Sequence, residues 1–276
     1  MLTHLHRLVA TAVLALVLLC WSAGAADRFI ILQSTTSTQN SGLFEHLLPI
    51  FRAKTGIEVR TVAVGTGQAI RNAMNGDGDV LLVHATAAEE RFVAEGHGTI
   101  RHDVMYNDFV IVGPPSDPAG IAGMDDAVAA LSRIARAAEP FVSRGDDSGT
   151  HKAELALWQS TAVNVAAASG TWYRETGSGM GATLNIGIGM NAYALTDRAT
   201  WITFGNKRGH RILVEGDRRL LNQYGIVAIN PDRHPNAKSD DAQVFIDWIL
   251  SVEGQTAIGE FRIHGQQLFV PNASTP

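Results

Sequence analysis

Cysteine is almost missing from this sequence: of 276 residues, one is cysteine, Cys20. It lies within the first 26 residues, so a mature chain without that segment has no thiol for a disulfide, a metal or a nucleophile. Charge is sparse as well. Asp, Glu, Lys and Arg make up 18% and the net charge is −5. That balance excludes the broad basic face that general nucleic-acid binding needs, so any anion site must be local. Long apolar runs are scarce too. The one at the start, Leu8 to Leu19, falls short of the roughly 20 residues that span a bilayer. It follows Arg7 and precedes the small residues Ser22-Ala23-Gly24-Ala25-Ala26. Residues 1–26 therefore read as a secretory signal, cut near Ala25 or Ala26, which places the mature protein in the periplasm. Leu19 stands before Cys20 where a lipoprotein signal wants a small residue. Losing Arg7 leaves 21 basic residues against 27 acidic, a net charge of −6.

Catalytic signatures are lacking. There is no G-x-S-x-G elbow and no Walker A loop. Gly177-Ser178-Gly179-Met180-Gly181 misses the G-x-G-x-x-G spacing. Asp147, Ser148 and His151 stand too close in sequence to converge as a triad. The ten histidines show no metal spacing and no H-E-x-x-H. His84, just after a buried strand, reads as a satisfied structural histidine. No enzyme, cofactor or metal site is expected.

What is present is core material and a rhythm. Hydrophobic residues make up 46%, enough for a large core. Phe29 to Leu32 reads as a strand, ending in the hydroxyl cluster Ser34 to Thr38. Leu43, Phe44, Leu47, Leu48 and Phe51 recur at helical spacing, with Pro49 as a possible kink and Gly56 as the stop. A strand at 57–64, a helix from Gln68, a strand at 79–83 and a helix at 89–95 continue the alternation, which predicts a parallel α/β sheet. A second α/β block follows Pro114-Pro115, and a helix at Ala242 to Leu250 closes the body. The fold class is therefore α/β, in two lobes with a ligand cleft between them. Lobe 1 takes 27–109 plus 226–276 and lobe 2 takes 110–225, with strands near 104–113 and 224–229 crossing between them.

Three loops share one pattern: a strand end, small hydroxyl or glycine residues, then a helix. They are Ser34–Ser41, Val64–Gln68 and Ser143–Thr150. The first N–H groups of a helix have no internal partner and carry partial positive charge, which makes an anion site. Any one such loop is explained by helix capping. Three of them with one local arginine, Arg144, could give a small tetrahedral anion roughly six to nine hydrogen bonds, at about 1.5–3 kcal/mol each. Asp146 and Asp147 either pair with Arg144 and cap the next helix, or hold its guanidinium for a ligand.

The segments TTSTQNSGL (35–43), VGTGQA (64–69), YNDFVIVGP (106–114), SRGDDSGTHKAE (143–154), TGSGMGATLN (176–185) and LTDRATW (195–201) occur in this order. Together they resemble the tungstate-binding proteins of ABC importers, over nearly the whole mature chain. Ser34 stands where relatives often have threonine and keeps the hydroxyl. The resemblance implies a periplasmic binding protein fold of the second type, monomeric, that takes an oxoanion in the cleft and delivers it to an ABC permease. It implies ligands Thr36 and Ser37, with Gly65 or Thr66, from the first lobe. From the second it implies Arg144, Ser148, Gly149 and Thr150, and in second rank Met180 and Gly181 through their backbone. A fully ionised dianion such as tungstate or molybdate needs donors alone. Phosphate, carrying a proton, wants an acceptor, for which Asp146 and Asp147 are the candidates. Molybdate, phosphate and sulfate therefore stay open as ligands.

Overall fold

The computed structural model describes residues 28–273. The signal segment assigned to 1–26 lies outside the described residues.

The chain opens with β1 (Phe29–Thr35), α1 (Thr36–Asn40), α2 (Leu43–Thr55), β2 (Glu58–Val64), α3 (Thr66–Asn75), β3 (Val80–Val83) and α4 (Thr86–Ala94). Leu43, Phe44, Leu47 and Phe51 form the buried face of α2, Pro49 lies within it, and Gly56 ends it at φ 72°. That left-handed backbone suits glycine, which has no Cβ. β2 and β3 both pair with β1 in parallel.

The next strand, β4 (Gly98–Gly113), holds 16 residues and belongs to both halves of the molecule. Its first part pairs with β9 (Leu221–Ile229) and its last part with β7 (Ala194–Asp197) and β8 (Arg211–Val214). Val104 and Met105 pack in a core with Ile30, Leu32, Phe51 and Trp248, whereas Phe109 and Ile111 pack in another with Leu131, Phe141 and Trp158. The polar stretch Tyr106-Asn107-Asp108 separates the two. On the way back, Leu220 packs in the second core and Tyr224 in the first.

Side-chain alternation explains why both sheets are covered on two faces. Val80 and Leu82 face one core while Leu81 and Val83 face another. Phe109 and Ile111 likewise point opposite to Val110 and Val112. The second half also contains α5 (Ala127–Ala137), β5 (Phe141–Ser143), α6 (Gly149–Gln159), β6 (Tyr173–Glu175), α7 (Met180–Gly189) and α8 (Arg198–Thr203). Helices α9 (Ser239–Leu250) and α10 (Val252–Glu260) return to the first core.

One expectation needs correction. The sheet is mixed, not parallel: β9 runs antiparallel to both β3 and β4. β4 carries the chain out of the first half, so the strand that brings it back must run the opposite way. Local periodicity does not encode that direction.

Candidate functional site

Three strands end at one place. β1 delivers Thr35 and the α1 turn, β2 delivers Val64 and Gly65, and β5 delivers Ser143 and the loop to α6. Ligands of α/β sheets sit at such carboxyl ends. Here the ends enclose a chamber of about 30 Å³, far below the several hundred Å³ of sites for organic ligands. Thr36, Ser37, Gly65 and Thr66 line it from the first half, and Arg144, Ser148, Gly149 and Thr150 from the second. Met180 and Gly181 do not reach it. They line an adjoining cavity of about 380 Å³, which shares Thr36, Ser37 and Arg144 with the chamber. Three chamber residues were not anticipated as ligands: Thr35, Val64 and His84.

Each loop has its own local reason. Gly65 precedes α3 with no side-chain cap, so the first amides of that helix stay free to face the chamber. Ser148 caps α6 by accepting from the His151 amide at 3.3 Å, and its hydroxyl also bonds the Asp146 carboxylate. The first internal bond of α6 is the one from the Lys152 amide to the Ser148 carbonyl, which leaves the amides of Gly149 and Thr150 at the open end. Gly145 and Asp147 both sit near φ 59°. Glycine and aspartate tolerate that conformation, and the bends bring Arg144 and Ser148 to the same wall.

Arg144 is held from behind. Its Nε and Nη2 donate to Asp146 Oδ2 at 3.1 and 2.6 Å, and Asp146 Oδ1 accepts from the Ser148 amide at 3.3 Å. Burial alone would raise the Asp146 pKa, but the hydrogen bonds from Ser148 and the nearby guanidinium outweigh it and hold the carboxyl below its ordinary value. Asp147 is exposed and pairs with Lys152. The two aspartates thus divide the roles that the sequence left open. Because Asp146 already balances Arg144, attraction for an anion rests heavily on amides, hydroxyls and the starts of α3 and α6.

His84 follows β3, the fourth strand end at this place. Its Nε2 lies 3.3 Å from both Thr35 Oγ1 and Ser37 Oγ, and its Nδ1 lies 3.1 Å from Asn222 Oδ1. Burial, with Arg144 nearby, lowers its pKa to about 4 against the opposing pull of Asn222. The ring is buried and satisfied, as a structural histidine should be, yet it is also a chamber wall. The rule that ligands gather at strand ends applies to it as to the other loops.

The two halves touch here. A Cβ on Gly149 would lie 2.7 Å from His84 Cε1 and 3.2 Å from Thr66 Oγ1. Only a residue without a side chain permits this approach. Such an arrangement of donors can hold a small oxoanion.

A family model described as the PBP superfamily domain matches residues 22–253. The tungstate-binding protein TupA of Peptoclostridium acidaminophilum is 48% identical over 253 residues, covering 90% of this chain and 87% of that protein. The solved structure of the tungstate-binding protein TupA from Desulfovibrio alaskensis G20 is 46% identical, with a TM-score of 0.82 over 90% of this chain and all of that one. The structure described as the tungstate ABC transporter from Geobacter sulfurreducens is also 46% identical, with a TM-score of 0.77 over 86% of this chain and all of that one.

Proposed function

We infer the function from kinship and site together: the chain belongs to the PBP superfamily and, within it, to the tungstate-binding protein family. It is the tungstate-binding component of an ABC importer, and it captures its ligand without transforming it. The mature protein works in the periplasm as a monomer and passes the anion to a membrane permease. Two lobes, 27–109 with 226–276 and 110–225, close on the ligand, and closure is the state the permease reads. Thr36, Ser37, Gly65, Thr66, Arg144, Ser148, Gly149 and Thr150 hold the anion. Met180 and Gly181 line its way in.

The observation that carries this reading is the small chamber walled by hydroxyls, helix-start amides and one guanidinium. Its size suits a tetrahedral ion. Its donors suit a dianion that keeps no proton. The acceptors that a protonated phosphate would want are engaged elsewhere, Asp146 by Arg144 and Asp147 by Lys152. Titration calorimetry of the mature chain against tungstate, molybdate, phosphate and sulfate tests it. Tungstate binds at micromolar affinity or better, a range that a handful of charge-assisted bonds supports, and phosphate, which carries a proton, binds far more weakly. Silence on tungstate would end this reading.

Gly149→Ala gives a separate check on closure. The added methyl meets His84, whose ring is fixed by Asn222, and overpacking of this kind costs about 1–3 kcal/mol. Tungstate affinity should fall about 5- to 150-fold. The Tm of the anion-free protein should fall less than that of the tungstate-saturated protein, since bound anion holds the two sides of this contact together. A matching drop in Tm would place the damage in folding instead.

A further inference from the structure

A line of buried polar side chains runs from the chamber to the two strands that join the halves. His84 Nδ1 meets Asn222 Oδ1, and Asn222 Nδ2 donates to Asn107 Oδ1 at 2.7 Å. Asn107 Nδ2 in turn reaches the Tyr224 hydroxyl at 3.4 Å. Asn107 and Asn222 are register partners on β4 and β9, at the polar interval between the two cores. Both are buried, where an unpartnered amide is costly.

The chemistry of this line decides a proton. Asn222 spends its NH₂ group on Asn107, so it presents an oxygen to His84, and an oxygen there requires Nδ1 to carry hydrogen. Arg144 lies close enough to oppose a charged ring, and the positive start of α6 faces it from the second half. Nε2 is then a bare acceptor, 3.3 Å from two hydroxyls. Thr35 Oγ1 receives the Thr38 amide at 3.3 Å and lies 2.7 Å from the Thr38 hydroxyl and 3.1 Å from the Ser37 hydroxyl; with the Thr38 hydroxyl donating to it, its own proton turns to Nε2. Ser37 faces both the chamber and the outer cavity.

We propose that the Asn107–Asn222–His84 line is a positioning device: it holds His84 as the Nδ1–H tautomer, so that Nε2 takes the Thr35 proton and the Ser37 proton points at the anion. Without that acceptor, Ser37 and Thr35 could turn lone pairs inward and repel the ligand. The proposal rests on the oxoanion reading above and adds a residue to it. It also ties the hydroxyl pattern to the strands about which the lobes move.

Two measurements test it. The first uses ¹⁵N-histidine-labelled, anion-free protein at neutral pH, with His84→Gln to assign the signal. The His84 resonances should show a protonated Nδ1 and an unprotonated Nε2. A ring protonated at Nε2, or at both nitrogens, overturns the proposal. The second is a double-mutant cycle read by tungstate calorimetry. His84→Gln should weaken binding about tenfold, and the same change in a Ser37→Ala background should weaken it less than twofold further. Fully additive losses would mean that His84 merely supports the loop, and would overturn the proposal. A protein that binds no tungstate at all would sink the functional reading and leave the tautomer measurement standing by itself.

Discussion

Replacing Arg144 with alanine is expected to weaken tungstate binding by about 2–4 kcal/mol, roughly 30- to 700-fold. Two effects add. The fork of donors that faces the chamber is lost, and Asp146 loses the guanidinium that it now receives at 2.6 Å. A carboxylate that was neutralised then stands beside a dianion. Arg144→Lys should recover part of the loss, since it restores charge without the planar fork. Adding Asp146→Asn to Arg144→Ala should recover another part by removing the stranded charge. Calorimetry on the four proteins checks the set, and an unchanged affinity in Arg144→Ala would remove the residue from the site.

Opposite pH dependences of stability are expected at two buried residues, one in each half. His84 titrates at about 4 in the folded chain, against an ordinary value near 6.5. The unfolded chain therefore binds the proton more readily. The contribution of His84 is complete above pH 6.5 and is lost as pH falls towards 4, by about 3 kcal/mol. Glu154 does the reverse. It is buried in α6 and accepts from the Tyr173 hydroxyl at 2.7 Å and from Trp158 Nε1 at 3.2 Å. Burial pushes its pKa up to about 7. Its contribution is complete below pH 4.5 and is lost as pH rises to 7, again by about 3 kcal/mol. Between pH 4.5 and 6.5 the two trends oppose each other in the native sequence, and single variants separate them. Denaturant unfolding of anion-free His84→Gln should show stability rising as pH falls from 7 to 4.5. Glu154→Gln should show it falling as pH drops from 6.5 to 4. Parallel curves would refute both assignments.

Much of the chamber could be read in advance because its residues lie in short continuous segments. Strand, hydroxyl or glycine, then helix is a local pattern. Three copies of it marked the segments 34–41, 64–68 and 143–150 with Arg144, the resemblance to tungstate-binding proteins implied Thr36, Ser37, Gly65 or Thr66, and Ser148 to Thr150 within them, and the structure draws these residues around one space. What escaped depends on distance along the chain. His84 becomes a wall only because β3 lies beside β1, and Asn222 stands 138 residues further on. Thr35 was seen as part of a hydroxyl cluster and not as its pivot, since its role comes from His84 and Thr38 together. Met180 and Gly181 matched a helix start like the others, but α7 opens on the larger cavity, and nothing in the local sequence sets that offset. The reversed direction of β9 escaped for the same reason: it is a property of the chain's path.

The path also orders events in time. In the first sheet, β9 lies between β3 and β4, and its residues are 221–229. Until synthesis has passed that point, a gap remains in the middle of the first sheet, with unpaired rims on either side that cannot be closed locally. The first sheet of the nascent polypeptide therefore stays unfinished for most of its making. Once the missing strand arrives, it stitches both halves along one ribbon, so heating should melt them together in a single cooperative transition.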